Sequence, residues 1–169
     1  MIQVYTGNGK GKTTAAIGQA IRAIGNNFKV LMIQFMKGDK TYGEIIAAKN
    51  IPNFEIKQFG LSTFVKKSEP SPTDIKLAQE GLAFARKALQ DNTYQMIILD
   101  EINVAIDYGL IKLSEVVEIV KNCPKSVELI LTGRYAPKEL IDLADLVSEI
   151  KEIKHPYTKG YVSREGIDY

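Results

Sequence analysis

Ile2-Gln3-Val4-Tyr5 runs into Thr6-Gly7-Asn8-Gly9-Lys10-Gly11-Lys12-Thr13-Thr14, and then into Ala15-Ala16-Ile17-Gly18-Gln19-Ala20-Ile21-Arg22-Ala23. The first four residues read as a short strand and the last stretch as a helix. Strand, glycine loop, Gly-Lys-Thr and helix, in that order, is the context that marks a phosphate-binding loop. Glycines let the backbone wrap a phosphate, and successive N–H groups and the helix N-terminus point inward at it. In such a loop Lys12 places a positive charge on the phosphate chain and Thr13 offers its hydroxyl to Mg²⁺. The spacing departs in one place from the common pattern of Gly, four residues, then Gly-Lys-Ser/Thr. Counting back from Gly11, the first glycine position holds Thr6, and Gly7 follows it. The loop either carries Thr6 at its first turn or is effectively one residue shorter.

Outward from the loop, strand and helix signals alternate. Lys29 to Phe35 reads as a second strand, Tyr42 to Lys49 as a short helix, and Phe54 to Phe59 as a third strand. Gly60 to Thr73, with its prolines and serines, reads as a loop. Asp74 to Gln90 carries Ile75, Leu77, Ala78, Leu82, Ala85 and Leu89 on one broad face and is predicted helical, with Thr73 as its N-cap. Leu113 to Lys121 reads as a helix capped by Ser114 or the residue before it. Val127 to Thr132 reads as a strand, Pro137 to Ala144 as a helix, and Leu146 to Ile150 as a last short strand. The chain beyond His155-Pro156 reads as irregular. This order predicts an α/β protein with a mostly parallel sheet flanked by helices, in one domain over residues 1–169.

Met96-Ile97-Ile98-Leu99-Asp100-Glu101 supplies the second half of a nucleotide site. A continuous apolar run suits a buried central parallel strand. Parallel strands end at the ligand crevice, so acids at the C-terminal end face a phosphate-bound cation. Mg²⁺ takes oxygen ligands and keeps several waters, so Asp100 and Glu101 serve it directly or through water. Thr132-Gly133-Arg134 ends the next strand on the same sheet edge. Arg134 there is either a bidentate contact for a triphosphate or a surface arginine.

The composition narrows the class. The chain has 169 residues, 45% hydrophobic and 25% charged, with a formal net charge of +2. That length buries a proper core, and so small a charge gives no nucleic-acid surface. Lys37, Lys40, Lys66 and Lys67 are scattered, and Glu152 interrupts the Lys151 to Lys154 cluster, so the basic residues read as solvated faces. Cys123 is the single cysteine, which excludes an internal disulfide. With no leader ahead of the first strand and no apolar run near the roughly 18 residues a membrane span needs, a cytoplasmic setting is expected.

Taken together, the chain resembles the P-loop corrinoid ATP:adenosyltransferases, which act on cob(I)alamin or cob(I)yrinic acid a,c-diamide. The likeness covers nearly the whole chain. It rests on Tyr5 to Ala16 with its unusual loop spacing, Gln34-Phe35, Lys37-Gly38, Gly43-Glu44, Leu99-Asp100-Glu101 and Thr132-Gly133-Arg134. Leu143 to Glu149, Lys154-His155 and the terminal Gly166-Ile167-Asp168-Tyr169 extend it. A generic phosphate-loop protein would share only the loop and the acid pair, and without the resemblance the residues give a Mg-ATP-binding α/β protein.

The resemblance implies a RecA-like fold and a homodimer. It implies transfer of the 5′-deoxyadenosyl group of ATP to Co(I) of a corrinoid, with the whole triphosphate leaving. ATP lies in the loop of such enzymes in reversed sense, and a reduced flavodoxin-type protein is the implied electron donor. By motif match Lys12, Thr13 and Thr14 hold phosphates, with Lys10 and the backbone of Gly7, Gly9 and Gly11 completing the cradle. Asn8 helps place the ribose. Thr13 and Glu101, with Asp100, serve Mg²⁺ or Mn²⁺, and Arg134 joins the ATP-binding set. His155 receives no chemistry.

Two departures stand out. Some members carry a Phe and a Trp after the third strand, walling the lower corrin face. Here the loop is Phe59-Gly60-Leu61-Ser62-Thr63-Phe64-Val65 and the chain has no tryptophan, which leaves Phe59, Leu61 and Phe64 as corrinoid-loop candidates. The N-terminal arm of longer members has no counterpart before the first strand. Its lid role falls to residues 157–169 or to the partner subunit.

Overall fold

The computed structural model describes residues 1–156, 160 and 164–167. Six strands, β1 (Ile2–Thr6), β2 (Val30–Phe35), β3 (Phe54–Phe59), β4 (Met96–Asp100), β5 (Glu128–Thr132) and β6 (Leu146–Glu149), alternate with helices. The helices are α1 (Lys12–Ile24), α2 (Gly43–Ala48), α3 (Pro72–Gln90), α4 (Ile102–Asp107), α5 (Leu113–Lys121) and α6 (Lys138–Leu143). The strands form one sheet in the order β3-β2-β4-β5-β1-β6, and every neighbouring pair is parallel. This is the α/β architecture expected from the sequence, in the arrangement of a RecA-like P-loop fold.

The central strands are buried on both faces, which is why they read as unbroken apolar runs. Leu31, Ile33 and Phe35 of β2 and Ile97 and Leu99 of β4 pack toward α3, α4 and α5. Val30 and Met32, with Met96 and Ile98, pack toward α1 and α2. Helix α1 meets the sheet through Ala16, Ala20 and Ala23, small residues that bring its axis close. On the other face, a side chain at Gly81 of α3 would press on Phe35 and Phe59 at 3.0 Å, so that helix also lies tight against the sheet.

The structure revises three sequence expectations. Helix α3 begins at Pro72, and its N-cap is Ser71 rather than Thr73. Ser71 and Asp74 exchange side-chain-to-backbone bonds in a capping box, with proline at the first turn where its missing N–H costs nothing. Helix α5 is preceded by Lys112, and Glu115 reaches back to the Lys112 N–H. Helix α4 was not expected at all: it follows Asp100-Glu101 directly and is too short to show a periodicity.

Because all strands run the same way, β1, β2, β4 and β5 deliver Thr6, Phe35, Asp100 and Thr132 to one edge of the sheet. The glycine loop leaves β1 there. Strand β5 lies between β1 and β4, so the acids and the loop are separated by one strand and meet across Thr132.

Candidate nucleotide and corrinoid site

The loop geometry settles how the spacing departs from the common motif. Thr6 is the last residue of β1, paired with Glu149 of β6, and its Oγ1 accepts the Ala136 N–H at 3.3 Å. The turn begins at Gly7, with φ of +97°, where a Cβ would collide with the Ile150 carbonyl. Gly9 N–H donates to Ile150 O at 2.7 Å. The loop is thus the shorter of the two alternatives, braced by the segment after β6. Gly11 caps α1 with φ of +117° and no side-chain cap, so the first-turn N–H groups stay available to an anion.

Lys12 is folded over the loop it belongs to. Its Nζ donates to Gly7 O at 2.8 Å and to Gly9 O at 2.7 Å. Burial lowers the pKa of this ammonium, against the upward pull of Glu101. Thr13 Oγ1 donates to Asp100 Oδ1 at 2.9 Å, and Thr132 Oγ1 donates to the same oxygen at 2.7 Å. The other oxygen, Oδ2, takes Lys37 Nζ at 2.8 Å and Gln34 Nε2 at 3.3 Å. Asp100 is fully buried. Burial alone would push its carboxyl up, but the Lys37 charge and the surrounding hydrogen bonds outweigh this and hold it below the ordinary range.

Glu101 behaves differently. It sits at φ of +62° at the N-cap of α4, and its N–H donates to Thr132 Oγ1 at 3.0 Å. Its carboxylate has no hydrogen-bond donor among the described residues and lines the open cleft. Burial, and then the charge of Asp100, raise its pKa. The turn Gly133-Arg134-Tyr135 is held from below by Asn103, whose Nδ2 donates to Gly133 O at 3.3 Å.

Lys12, Thr13, Lys37, Glu101 and Arg134 border one cleft of about 1030 Å³. The loop from Gly9 to Thr14 lines it together with Lys37, Glu101 and Arg134, and Phe64, His155 and Ile167 border it as well. A cluster of backbone donors, cations and an acid over a glycine loop suits a polyphosphate with a divalent cation.

Comparison with known proteins names the class. Residues 1–169 match the family described as ATP:corrinoid adenosyltransferase BtuR/CobO/CobP. The chain belongs to this family. All of it aligns at 36% identity with 85% of the corrinoid adenosyltransferase of Escherichia coli K12. It aligns as completely, at 34% identity, with 85% of the corrinoid adenosyltransferase CobA of Salmonella typhimurium. An uncharacterised Nostoc protein is 39% identical over 92% of this chain, which covers 44% of that longer relative. The enzyme is therefore an ATP:corrinoid adenosyltransferase, transferring the adenosyl group of ATP to a corrinoid.

In this adenosyltransferase, Gly9, Lys10, Gly11, Lys12, Thr13, Thr14, Glu101 and Arg134 line the cleft together. Gly7 lies beneath it as a carbonyl acceptor, and Asp100 lies behind it, wholly enclosed. Asn8 is exposed and outside the lining. The three corrinoid-loop candidates separate. Phe64 is 99% exposed at the cleft, Leu61 is surface-exposed away from it, and Phe59 packs on Phe84 with ring centroids 5.6 Å apart. Of the expected C-terminal lid, Gly166 and Ile167 border the cleft, and Lys10 Nζ donates to Ile167 O at 3.0 Å. Residues 157–159, 161–163 and 168–169 of that segment lie outside the described residues.

Sequence reasoning passed over Lys37, Gln34 and Thr132 as site residues. Lys37 read as a solvated lysine; it is instead an ion-pair partner of a buried acid. The available signal was positional, because β2 pairs with β4 and Lys37 follows the end of β2. Thr132 was visible as a strand end on the same sheet edge, and the position of β5 between β1 and β4 is what brings it to the acids.

Proposed function

We propose that the enzyme seats the triphosphate of ATP over Gly7–Thr14 so that Co(I) of the corrinoid attacks the ribose C5′. A Co–C bond forms, the C5′–O5′ bond breaks, and its electron pair leaves with intact triphosphate. No proton is removed, so the protein needs no general base. What it supplies is in-line positioning and stabilisation of a highly charged leaving group. Lys12, the N–H groups at the start of α1 and Arg134, which line one cleft, are assigned that task. Lys12 must first give up its carbonyls at Gly7 and Gly9 to meet a phosphate oxygen.

The residues present fit Mg²⁺. The Thr13 hydroxyl spends its proton on Asp100, which leaves its oxygen lone pairs for a cation. Glu101 is an acid without a hydrogen-bond donor among the described residues and lies beside a second acid, the electrostatic setting of a cation ligand. Among the described residues no group of three or more His, Cys, Asp or Glu side chains forms a metal cage, which suits an ion carried largely by phosphate and water. Thr13 and Glu101 would hold the ion directly, and Asp100 would act through Thr13. When bound, Mg²⁺ or Mn²⁺ neutralises part of the triphosphate charge.

The corrinoid reading places Phe64 against the lower corrin face. Phe59, packed on Phe84, is assigned to holding the loop. The homodimer and the reduced flavodoxin-type electron donor rest on the family resemblance. The cytoplasmic setting and the single domain rest on the sequence reading; no helix among the described residues is long and apolar enough to cross a membrane.

The observation that carries this reading is the convergence of Lys12, Thr13, Glu101 and Arg134 on one cleft over the glycine loop. The test is the bond that breaks. With ATP, Mg²⁺ and a Co(I) corrinoid, triphosphate should appear in proportion to light-sensitive adenosylated corrinoid. An analogue with a non-hydrolysable β–γ bridge should still donate its adenosyl group. ADP matching turnover would show phosphoryl transfer instead.

A further inference from the structure

Lys37 is a cation in the right place that the loop motif does not account for. It follows β2 on a turn fixed by two close backbone contacts. Met36 N–H donates to Phe59 O at 3.1 Å, and Gly38 and Gly60 lie so close that a Cβ on either would collide with the other strand's backbone. The side chain is 21% exposed and lies along the wall of the nucleotide cleft. Its one hydrogen-bond partner among the described residues is Asp100 Oδ2, at 2.8 Å.

An ammonium has three N–H donors and no acceptor. Asp100 uses one of them, and the cleft borders the rest. Asp100 does not need all of the lysine, since Thr13, Thr132 and Gln34 also donate to it. The result is an ammonium preset in position by a buried carboxylate and bordering the cleft. Preset charges of this kind stabilise a developing anion at little reorganisation cost.

We propose that Lys37 is a further triphosphate-binding residue, bridging Asp100 and a phosphate oxygen of ATP and of the leaving triphosphate. This rests on the reading that the triphosphate lies in this cleft, with Lys12 as its first cation. Lys37 then supplies a second lysine, from the turn after β2.

The test uses inorganic tripolyphosphate in EDTA, so that no divalent cation mediates, with binding read by calorimetry. Lys37→Met alone would uncover the charge of Asp100, so the decisive comparison is made in an Asp100→Asn background. There, adding Lys37→Met should weaken tripolyphosphate binding about 10- to 100-fold, the scale of one charge-assisted hydrogen bond, and flatten its salt dependence. Equal affinity of Asp100→Asn and the double variant would overturn the proposal, leaving Lys37 as a support for Asp100 only. Lys12→Ala runs beside it: loss at Lys37 without loss at Lys12 upholds Lys37 and sinks the reading of Lys12. No loss at either sinks both. The full-length wild-type protein gives an independent reading, should the double variant fail to fold. With ¹⁵N-lysine labelling, the Lys37 Nζ resonance, assigned by its absence in Lys37→Arg, should shift on adding tripolyphosphate, and an unmoved resonance overturns the contact.

Discussion

Thr13 and Asp100 stand 87 residues apart in sequence and are joined by a 2.9 Å hydrogen bond. The bond crosses β5, because the glycine loop and the acid strand are not neighbours in the sheet. Thr132 fills the gap, donating to the same Asp100 oxygen and accepting the Glu101 N–H. Asp100 is thus the hub that aligns the loop hydroxyl, while Glu101 is the acid that meets solvent. A serine at position 13 keeps the hydroxyl and should keep most of the activity. Thr13→Val should lower kcat/KM by about 10²-fold and raise the Mg²⁺ concentration for half-maximal rate. Its melting temperature should fall only slightly, since Asp100 retains three other donors and one such bond contributes about 1 kcal/mol. Rate measurements across a Mg²⁺ series on both variants check this.

Lys12 is expected to matter for rate rather than for folding. Its two partners are carbonyls of its own loop, at Gly7 and Gly9, not groups of the core. Lys12→Ala should therefore fold, with a near-normal thermal melt, and lose about 10²–10³-fold in kcat/KM. Near-normal turnover in the folded variant would remove Lys12 from the leaving-group assignment.

The two acids should respond to pH with opposite signs. Glu101 is raised, by burial first and Asp100 second. A raised carboxyl costs stability where it is ionised. The cost is absent below the ordinary glutamate value, grows as pH climbs through the raised one, and is full above it. Glu101→Gln should then melt higher than wild type near neutral pH, with the gap closing as pH falls. Asp100 is depressed, so its contribution is present above the ordinary aspartate value and lost as pH falls through the depressed one. Asp100→Asn should melt lower than wild type at neutral pH. Mg²⁺ titrated at fixed ATP should show the larger loss of affinity in Glu101→Gln; a loss confined to Asp100→Asn would reverse the two roles.

The parts of this site that were legible in the sequence are those written in contiguous residues. The glycine loop, the apolar strand ending in Asp100-Glu101, and Thr132-Gly133-Arg134 each announce a strand end, and a parallel sheet gathers strand ends on one edge. Lys37 was not legible, because its role depends on β2 pairing with β4 in a register that sets Gln34 beside Asp100. The helix start at Pro72 was misplaced for a local reason: Thr73 and Ser71 are both good caps, and only the bond from the Asp74 N–H to Ser71 Oγ decides between them. Helix α4 escaped because six residues, three of them β-branched, carry no helical signature of their own. The corrinoid loop was ambiguous because two phenylalanines flank it, and burial alone tells them apart.

That pair gives the last prediction. Phe59 ends β3, packs on Phe84, and lies directly against Gly81 of α3. Phe64 is almost wholly exposed and borders the nucleotide cleft. An exposed aromatic ring gains nothing for the fold, so Phe64→Ala should leave the melting temperature unchanged. Phe59→Ala should destabilise by about 3 kcal/mol, as for loss of a packed aromatic ring. Activity should divide the other way. An apolar ring against the corrin face disfavours a lower axial ligand on cobalt and so eases reduction to Co(I). Phe64→Ala should then slow turnover much more when the corrinoid is supplied as Co(II) with a reductant than when it is supplied already as Co(I). A folded Phe59→Ala protein, assayed below its melting range, should show no such difference between the two substrates. If Phe64→Ala loses activity equally with both, or loses none, the ring does not face the corrin and the surface of this loop serves some other contact.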